Sequence, residues 1–428
     1  SAMMTVSCIE GATFALGCYY FCHEHTSATE SGKPAAAARP RPGWHGSTRK
    51  KGLTKAMKIP FVDLSTQHEH LVDELLADYR QLLERCDFIG GEAVQQFEQQ
   101  FATMMGAQHC IGLNSGTDAL VLALRAIGVG PGDEVVVPAF TFVATAEAIT
   151  AVGAKPVFVD VREETMNINP ELIPDAITAE TRAILPVHLF GWASEMSLIH
   201  EIAESIGLVV LEDAAQACGT KIGKQYCGAM STAGCFSFYP SKNLGGTGDG
   251  GCILTNDEEL AHIIRLMHDH GKDESGAFQI AGCNSRLDTI QAQYLLRRLE
   301  DFEDSLLDRV ENARFYEQKL KDTGIVLPPV LDDGSHTYNY YTVRLRERDQ
   351  LRSYLQERGI GSAVYYAQPL PYEPCYAHLG YQEGDFPVVE AASKQALSLP
   401  IYPGLTKRQL EAICGTVREF MEKLAPVH

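Results

Sequence analysis

Apolar residues along this chain recur in short blocks separated by longer amphipathic stretches. Seven runs are apolar on both faces: Cys110–Asn114, Glu134–Pro138, Pro156–Asp160, Ala183–Val187, Leu208–Leu211, Cys235–Phe238 and Gly251–Thr255. Strands covered on both sides read this way, whereas half-exposed strands alternate. Helical periodicity fills several of the gaps. In Ser194–Ile206, Leu198, Ile202 and Ile206 fall at i, i+4 and i+8 and predict one apolar stripe, with Gly207 where a helix ends in a left-handed residue. The alternation predicts an α/β fold with a mostly parallel seven-stranded sheet. The gap after Cys235–Phe238 is too short for a crossover helix, so one of the last strands is expected to run antiparallel.

From Asp288 to about Gln318 the pattern becomes one long helix rich in Leu, Arg and Glu. A smaller α+β region follows, with a strand at Tyr340–Leu345, a helix at Asp349–Arg358, a strand at Gly361–Tyr366 and a last helix at Thr406–Leu424. The expected organisation is a large domain over 58–300 and a small C-terminal domain over 301–428. Residues 1–57 stand apart. They include SGKPAAAARPRPGWHGSTRKKG, which has no sustained period and predicts a disordered extension. The mildly apolar Ile9–Cys22 has no basic lead-in and contains Glu10, which argues against a signal peptide. Ser1-Ala2-Met3 reads as a cloning remnant and Met57 as a natural start.

Charge narrows the partners. The chain has 428 residues and a formal charge of −19; residues 1–58 contribute +5, leaving −24 on the rest. Such a field repels phosphate backbones and anionic bilayers, so neither nucleic acid nor a membrane is an expected partner. An anionic ligand must be met by local donors. No apolar run reaches the roughly 18 residues of a membrane span. The 12 cysteines are scattered without Cys-x-x-Cys or zinc-finger spacing. A reducing, cytoplasmic setting is therefore expected, and no metal site.

In open α/β sheets, ligands bind beyond the carboxyl ends of the strands. Several such ends here carry polar residues. Ser115-Gly116-Thr117 opens a helix; its free N–H groups and positive dipole end suit a phosphate, and Ser115 with Asp118 equally suits a capping box. His188 follows the fourth run. Asp213, in Glu212-Asp213-Ala214-Ala215-Gln216, follows the fifth. A carboxylate partly desolvated there wants a cationic partner such as a protonated pyridine nitrogen, or else caps a following helix. Lys242 lies in KNLGGTGDGG after the sixth run. It reads as a surface lysine, or, on a flexible glycine-rich loop aimed at the same edge, as an amine able to form a Schiff base with an aldehyde cofactor.

The segments IPFVDL (59–64), SGTDAL (115–120), GPGDEVVVPAFTFVAT (130–145), EDAAQ (212–216), FSFYPSKNLGGTGDGG (236–251), NSRLD (284–288) and LSLPIYPGLT (397–406) carry a resemblance. Together they resemble the DegT/DnrJ/StrS family of nucleotide-sugar aminotransferases, fold-type-I enzymes that use pyridoxal 5'-phosphate. The resemblance implies that Lys242 holds the cofactor through a Schiff base and shuttles a proton. Asp213 would pair with the pyridine nitrogen, Gln216 would bond the ring hydroxyl, and Phe142 would stack on the ring. Gly116, Thr117 and Ser237 would bind the phosphate. Asn284 would reach that phosphate from the partner subunit of a homodimer, or would simply cap the helix carrying Leu287, Ile290 and Tyr294. His188 is placed near the cofactor as a further catalytic candidate.

The implied reactants are glutamate, as amino donor, and a nucleotide-linked keto-sugar. C3 is favoured over C4 because the KNLG motif resembles enzymes of 3-keto sugars. The setting would be amino-sugar and surface polysaccharide or glycoside biosynthesis. One stretch departs from the family pattern: His-Tyr-Pro and Pro-Leu-His are common in relatives, whereas this chain has Tyr365-Tyr366-Ala367-Gln368-Pro369-Leu370-Pro371. That leaves the acceptor sugar open. A related dehydratase that uses the same cofactor is one alternative, and Lys242 opposes it because those enzymes carry histidine there. A non-catalytic regulatory protein on the same fold is another, and the set of Lys242, Asp213 and Gln216 opposes that.

Overall fold

All seven apolar runs become strands of one sheet in a computed structural model that describes residues 58–424. The expectations for 1–57 lie outside the described residues. The strands are β1 (His109–Leu113), β2 (Glu134–Pro138), β3 (Lys155–Val159), β4 (Thr181–Ile184), β5 (Val209–Asp213), β6 (Ala233–Ser237) and β7 (Gly251–Thr255). Their spatial order is β1-β7-β6-β5-β4-β2-β3. β2 pairs in parallel with β3 and β4, β4 with β5, and β5 with β6. β7 runs antiparallel to both β1 and β6, as the short connection before it demanded. That connection is the loop carrying Lys242.

Helices cover the sheet, and one corrects the sequence reading. Met196–Ile206 does end at Gly207, with φ 74°. Its buried side chains, however, are Met196, Ile199 and Ala203, while Leu198 and Ile206 are exposed. Successive steps of four residues rotate around a helix of 3.6 residues per turn, so i, i+4, i+8 drifts off the buried line that i, i+3, i+7 keeps. The long helix is likewise two, Thr289–Glu300 and Phe302–Leu320, broken at Asp301.

Beyond it, Tyr341–Arg344 pairs antiparallel with Ala396–Leu399, a strand the periodicity had not marked. The strand expected at Gly361–Tyr366 is reduced to a single bridge from Ala363 to Ser398. Its neighbour Gly361 instead donates its N–H to the Ile59 carbonyl at 2.8 Å, so the segment's pairing is divided between two partners.

Two apolar cores matter for the site. One packs sheet residues such as Ile111, Val137 and Leu211 with Leu370, Tyr376, Phe386 and Val389. The other gathers Ile59 with Tyr316, Tyr341, Leu351, Ile413 and Phe420. A buried carboxylate pins the first. Asp160, just past β3, accepts the N–H groups of Val161, Val388 and Val389 at 2.8, 3.0 and 3.0 Å. The last two belong to the first turn of helix Pro387–Gln395, whose amides have no partner within the helix.

Candidate active site

At the carboxyl end of β1, helix Gly116–Ala126 begins with Ser115 as its N-cap, whose Oγ accepts the Asp118 N–H at 3.1 Å. The cap and the phosphate reading are therefore compatible: Ser115 takes the third amide and the N–H groups of Gly116 and Thr117 stay at the helix start. Ser237, the last residue of β6, closes on them. A Cβ at position 116 would lie 2.7 Å from the Ser237 Cβ, so only glycine lets the two elements meet.

Asp213 ends β5 and is 3% exposed. Its Oδ2 accepts the Thr145 hydroxyl at 2.8 Å and its Oδ1 the Ala215 N–H at 3.1 Å. No helix starts there, so the capping alternative falls. Burial pushes the Asp213 carboxyl above its ordinary pKa; the Thr145 and Ala215 bonds and the charge of Lys242 pull it back without reversing the shift. Lys242 is half-buried. Its loop is tied down by hydrogen bonds at three points. The Lys242 N–H donates to the Tyr239 carbonyl at 2.9 Å, Gly246 N–H to the Phe238 carbonyl at 2.7 Å, and Thr247 N–H to Gln291 Oε1 at 2.9 Å.

Gln216 and Phe142 stand on neighbouring loops. Gln216 Oε1 accepts the Phe190 N–H at 2.8 Å, and its Nε2 donates to the hydroxyl of Tyr366 at 3.2 Å. Phe142 is 54% exposed at the start of helix Val143–Ala151, with its ring centroid 6.3 Å from that of Tyr366.

His188 is fully buried. Its Nδ1 accepts the Ser194 N–H at 3.0 Å, and its Nε2 lies 2.9 Å from Glu212 Oε2. Burial opposes the imidazolium, while Cys227 and Glu212 favour it strongly enough to push the pKa up to about 10. The Ser194 N–H nonetheless claims the Nδ1 lone pair, and that directional bond requires the neutral form with its proton on Nε2, donated to Glu212. With both nitrogens engaged and no exposure, His188 is held as a buried support for Glu212 and the Ser194 backbone. Glu212 also accepts the N–H groups of Gly228, Met230 and Ser231 at 2.7–2.9 Å.

Asn284 is exposed beside Ser285, whose Oγ donates to Asn114 Oδ1 at 3.0 Å. The cap for helix Thr289–Glu300 is Asp288, so Asn284 does not cap it. Within one chain the structure thus assembles Gly116, Thr117, Phe142, Asp213, Gln216, Ser237 and Lys242 along one sheet edge and leaves Asn284 on the outside. Sequence reasoning gave no role to Thr145, Glu212 or Tyr366. Thr145 and Glu212 lie inside the quoted motifs, and Tyr366 lies in the stretch that departs from the family pattern.

These residues fit pyridoxal phosphate. A buried carboxylate with a raised pKa lies within reach of the Lys242 charge, and a glycine-serine cradle lies at a helix start on the same sheet edge. The architecture is that of the fold-type-I aminotransferases: a mostly parallel sheet, a C-terminal subdomain and the site at the carboxyl edge. Residues 69–418 match the family described as the DegT/DnrJ/EryC1/StrS aminotransferase family, and the chain belongs to it. A pleiotropic regulatory protein of Geobacillus stearothermophilus is 42% identical over 86% of this chain and 100% of its own length. A UDP-2-acetamido-2-deoxy-3-oxo-D-glucuronate aminotransferase of Pseudomonas aeruginosa is 41% identical over 84% and 99%. The crystal structure of Streptomyces venezuelae DesV in complex with a ketimine intermediate superposes with a TM-score of 0.83 at 40% identity, covering 85% of this chain and 99% of that one.

Proposed function

We propose that this chain is a cytoplasmic, homodimeric pyridoxal 5'-phosphate-dependent aminotransferase. It carries the amino group of glutamate to C3 of a nucleotide-linked keto-sugar, with active sites shared between subunits. The observation that carries the reading is Asp213, a buried carboxylate within reach of the Lys242 charge and beside the Gly116, Thr117 and Ser237 cradle. When bound, the cofactor supplies an electron sink for charge developing on the amino-acid Cα. Asp213 would keep a proton on the pyridine nitrogen. Lys242 Nζ would take a proton from one carbon of the reacting system and return it to another. Phe142 would cover one face of the ring, and the helix start at Gly116 would anchor the phosphate.

The 3-oxo sugar in the name of the Pseudomonas relative and the KNLG motif both support C3. The homodimer is supported by helix Val72–Arg85. Val72, Leu76, Tyr79 and Leu83, at i, i+4, i+7 and i+11, are all exposed there, a stripe of the kind that marks a protein interface. A regulatory protein is the second reading, favoured by the name of the Geobacillus relative. One experiment separates them. The purified chain is incubated with pyridoxal phosphate, glutamate and a panel of nucleotide-linked 3-keto and 4-keto sugars, and amino sugar and 2-oxoglutarate are measured. Amination of 3-keto sugars is expected. A colourless protein that takes up no cofactor overturns the enzyme reading, and amination confined to 4-keto sugars overturns C3.

A further inference from the structure

The side chain of Gln216 has its orientation decided by two neighbours. A backbone N–H can only donate, so the bond from Phe190 N–H establishes which end of the amide is oxygen. The Nε2 end then carries two N–H groups, and one of them goes to the Tyr366 hydroxyl. The amide plane leaves the second N–H a single direction. Gln216 is 6% exposed, so bulk water does not compete for it.

Tyr366 is itself held firmly. Its ring packs edge-on against Phe140, with centroids 5.7 Å apart at 79°, and lies against Phe142 and Tyr365 at 6.3 and 5.7 Å. Burial pushes its phenol far above the ordinary value, helped by the nearby Tyr340 and Asp213, so the hydroxyl stays neutral. This residue comes from the C-terminal part of the chain, whereas Gln216 follows β5.

We propose that Tyr366 is a positioning residue: by taking one N–H of Gln216 it aims the other at the ring oxygen of bound pyridoxal phosphate. The inference rests on the functional reading above and adds a residue to it. A donor aimed at that oxygen stabilises the oxygen's deprotonated form. The bound cofactor then titrates at lower pH than it would with a misaligned amide. Tyr366 therefore couples the C-terminal segment to the protonation state of the cofactor without touching it.

The test is a pH titration of the visible absorption of the full chain reconstituted with pyridoxal phosphate. Tyr366→Phe preserves the ring packing, which a thermal melt verifies. Its titration midpoint is expected to rise by about half to one pH unit, the displacement that follows when one protonation state loses a single hydrogen bond. Gln216→Leu is expected to raise the midpoint as well, and the double variant to rise no further than Gln216→Leu alone, because Tyr366 acts through Gln216. An unchanged midpoint in a folded Tyr366→Phe protein overturns the proposal, as does an additive double variant. A wild-type protein that develops no visible band with the cofactor overturns the functional reading together with this one.

Discussion

Adjacent carboxylates at the end of β5 show how environment sorts identical chemistry. Glu212 is wrapped by backbone N–H groups and His188, which outweigh burial and hold its pKa below the ordinary value. Asp213 has fewer donors, and burial leaves its pKa raised. A raised carboxyl pKa means that ionisation disfavours the folded state at any pH above the folded pKa, and the effect disappears once pH falls below the unfolded value. Asp213→Asn should therefore raise the melting temperature of the cofactor-free protein by a few degrees at neutral pH. The gain should shrink as the buffer is made more acidic. The asparagine can accept from Ala215 and donate to Thr145, so the fold is retained. The same variant should lose turnover by roughly 10²-fold or more once loaded, because the pyridine nitrogen is no longer held protonated. A melting temperature lower than wild type at neutral pH would contradict the charge argument. Lys242→Ala should remove turnover altogether with the circular dichroism unchanged, since both the covalent link and the proton shuttle are gone. Wild-type turnover in that variant would remove Lys242 from its role.

At the level of elements, the site depends on how closely one helix start approaches one strand end. Gly116 meets Ser237, and a Cβ at Gly251 would lie 2.5 Å from the Ser115 carbonyl carbon. Gly116→Ala should push the helix start off β6 and separate the phosphate donors. Pyridoxal phosphate affinity, measured by equilibrium titration, is expected to fall by roughly tenfold or more, as when one charge-assisted bond is lost. Stability in urea should fall by about 1–3 kcal/mol from the overpacking. Unaltered affinity would mean that the cradle is not the phosphate site. Ser115 is not interchangeable with Gly116 here: it caps the helix, and the glycine permits the contact.

For the whole molecule, the question is how an acidic chain would meet the anionic substrate proposed for it. With −19 overall, attraction must come from local donors such as oriented N–H groups. Asn284 is exposed on its own chain, which is where a residue serving a partner would stand. A mixed dimer of a Lys242→Ala subunit and an Asn284→Ala subunit should regain about half of wild-type activity, because one site collects both defects and the other neither. If each Asn284 serves its own subunit, no intact site forms, and at limiting cofactor the mixed dimer shows no more than half the activity of the Asn284→Ala parent. Replacing Leu76 and Leu83 with glutamate should shift the particle mass seen by light scattering from two chains toward one. An unchanged mass would leave the apolar stripe without that role.

Strand positions, an antiparallel strand near the end of the series and the placing of Asp213 and Lys242 at strand ends were legible in the residues alone, whereas Gln216 entered only through the family resemblance. Each depends on local pattern: two-sided apolar runs, a connection too short for a helix, and polar residues at strand ends. Tertiary structure decided what pattern cannot carry. Helix Met196–Ile206 buries Met196, Ile199 and Ala203 because packing selects the line that stays on one side. The 361–366 stretch divides its pairing between Ile59 and Ser398, residues hundreds of positions apart or tens of positions away. The sequence placed His188 at a strand end, but only the fold shows that Ser194 and Glu212 take both of its nitrogens. Tyr366 gained a place beside Gln216 only when a segment 150 residues further along the chain folded back over the sheet edge. Hydrogen bonds of that span depend on three-dimensional proximity, and local spacing holds no record of it.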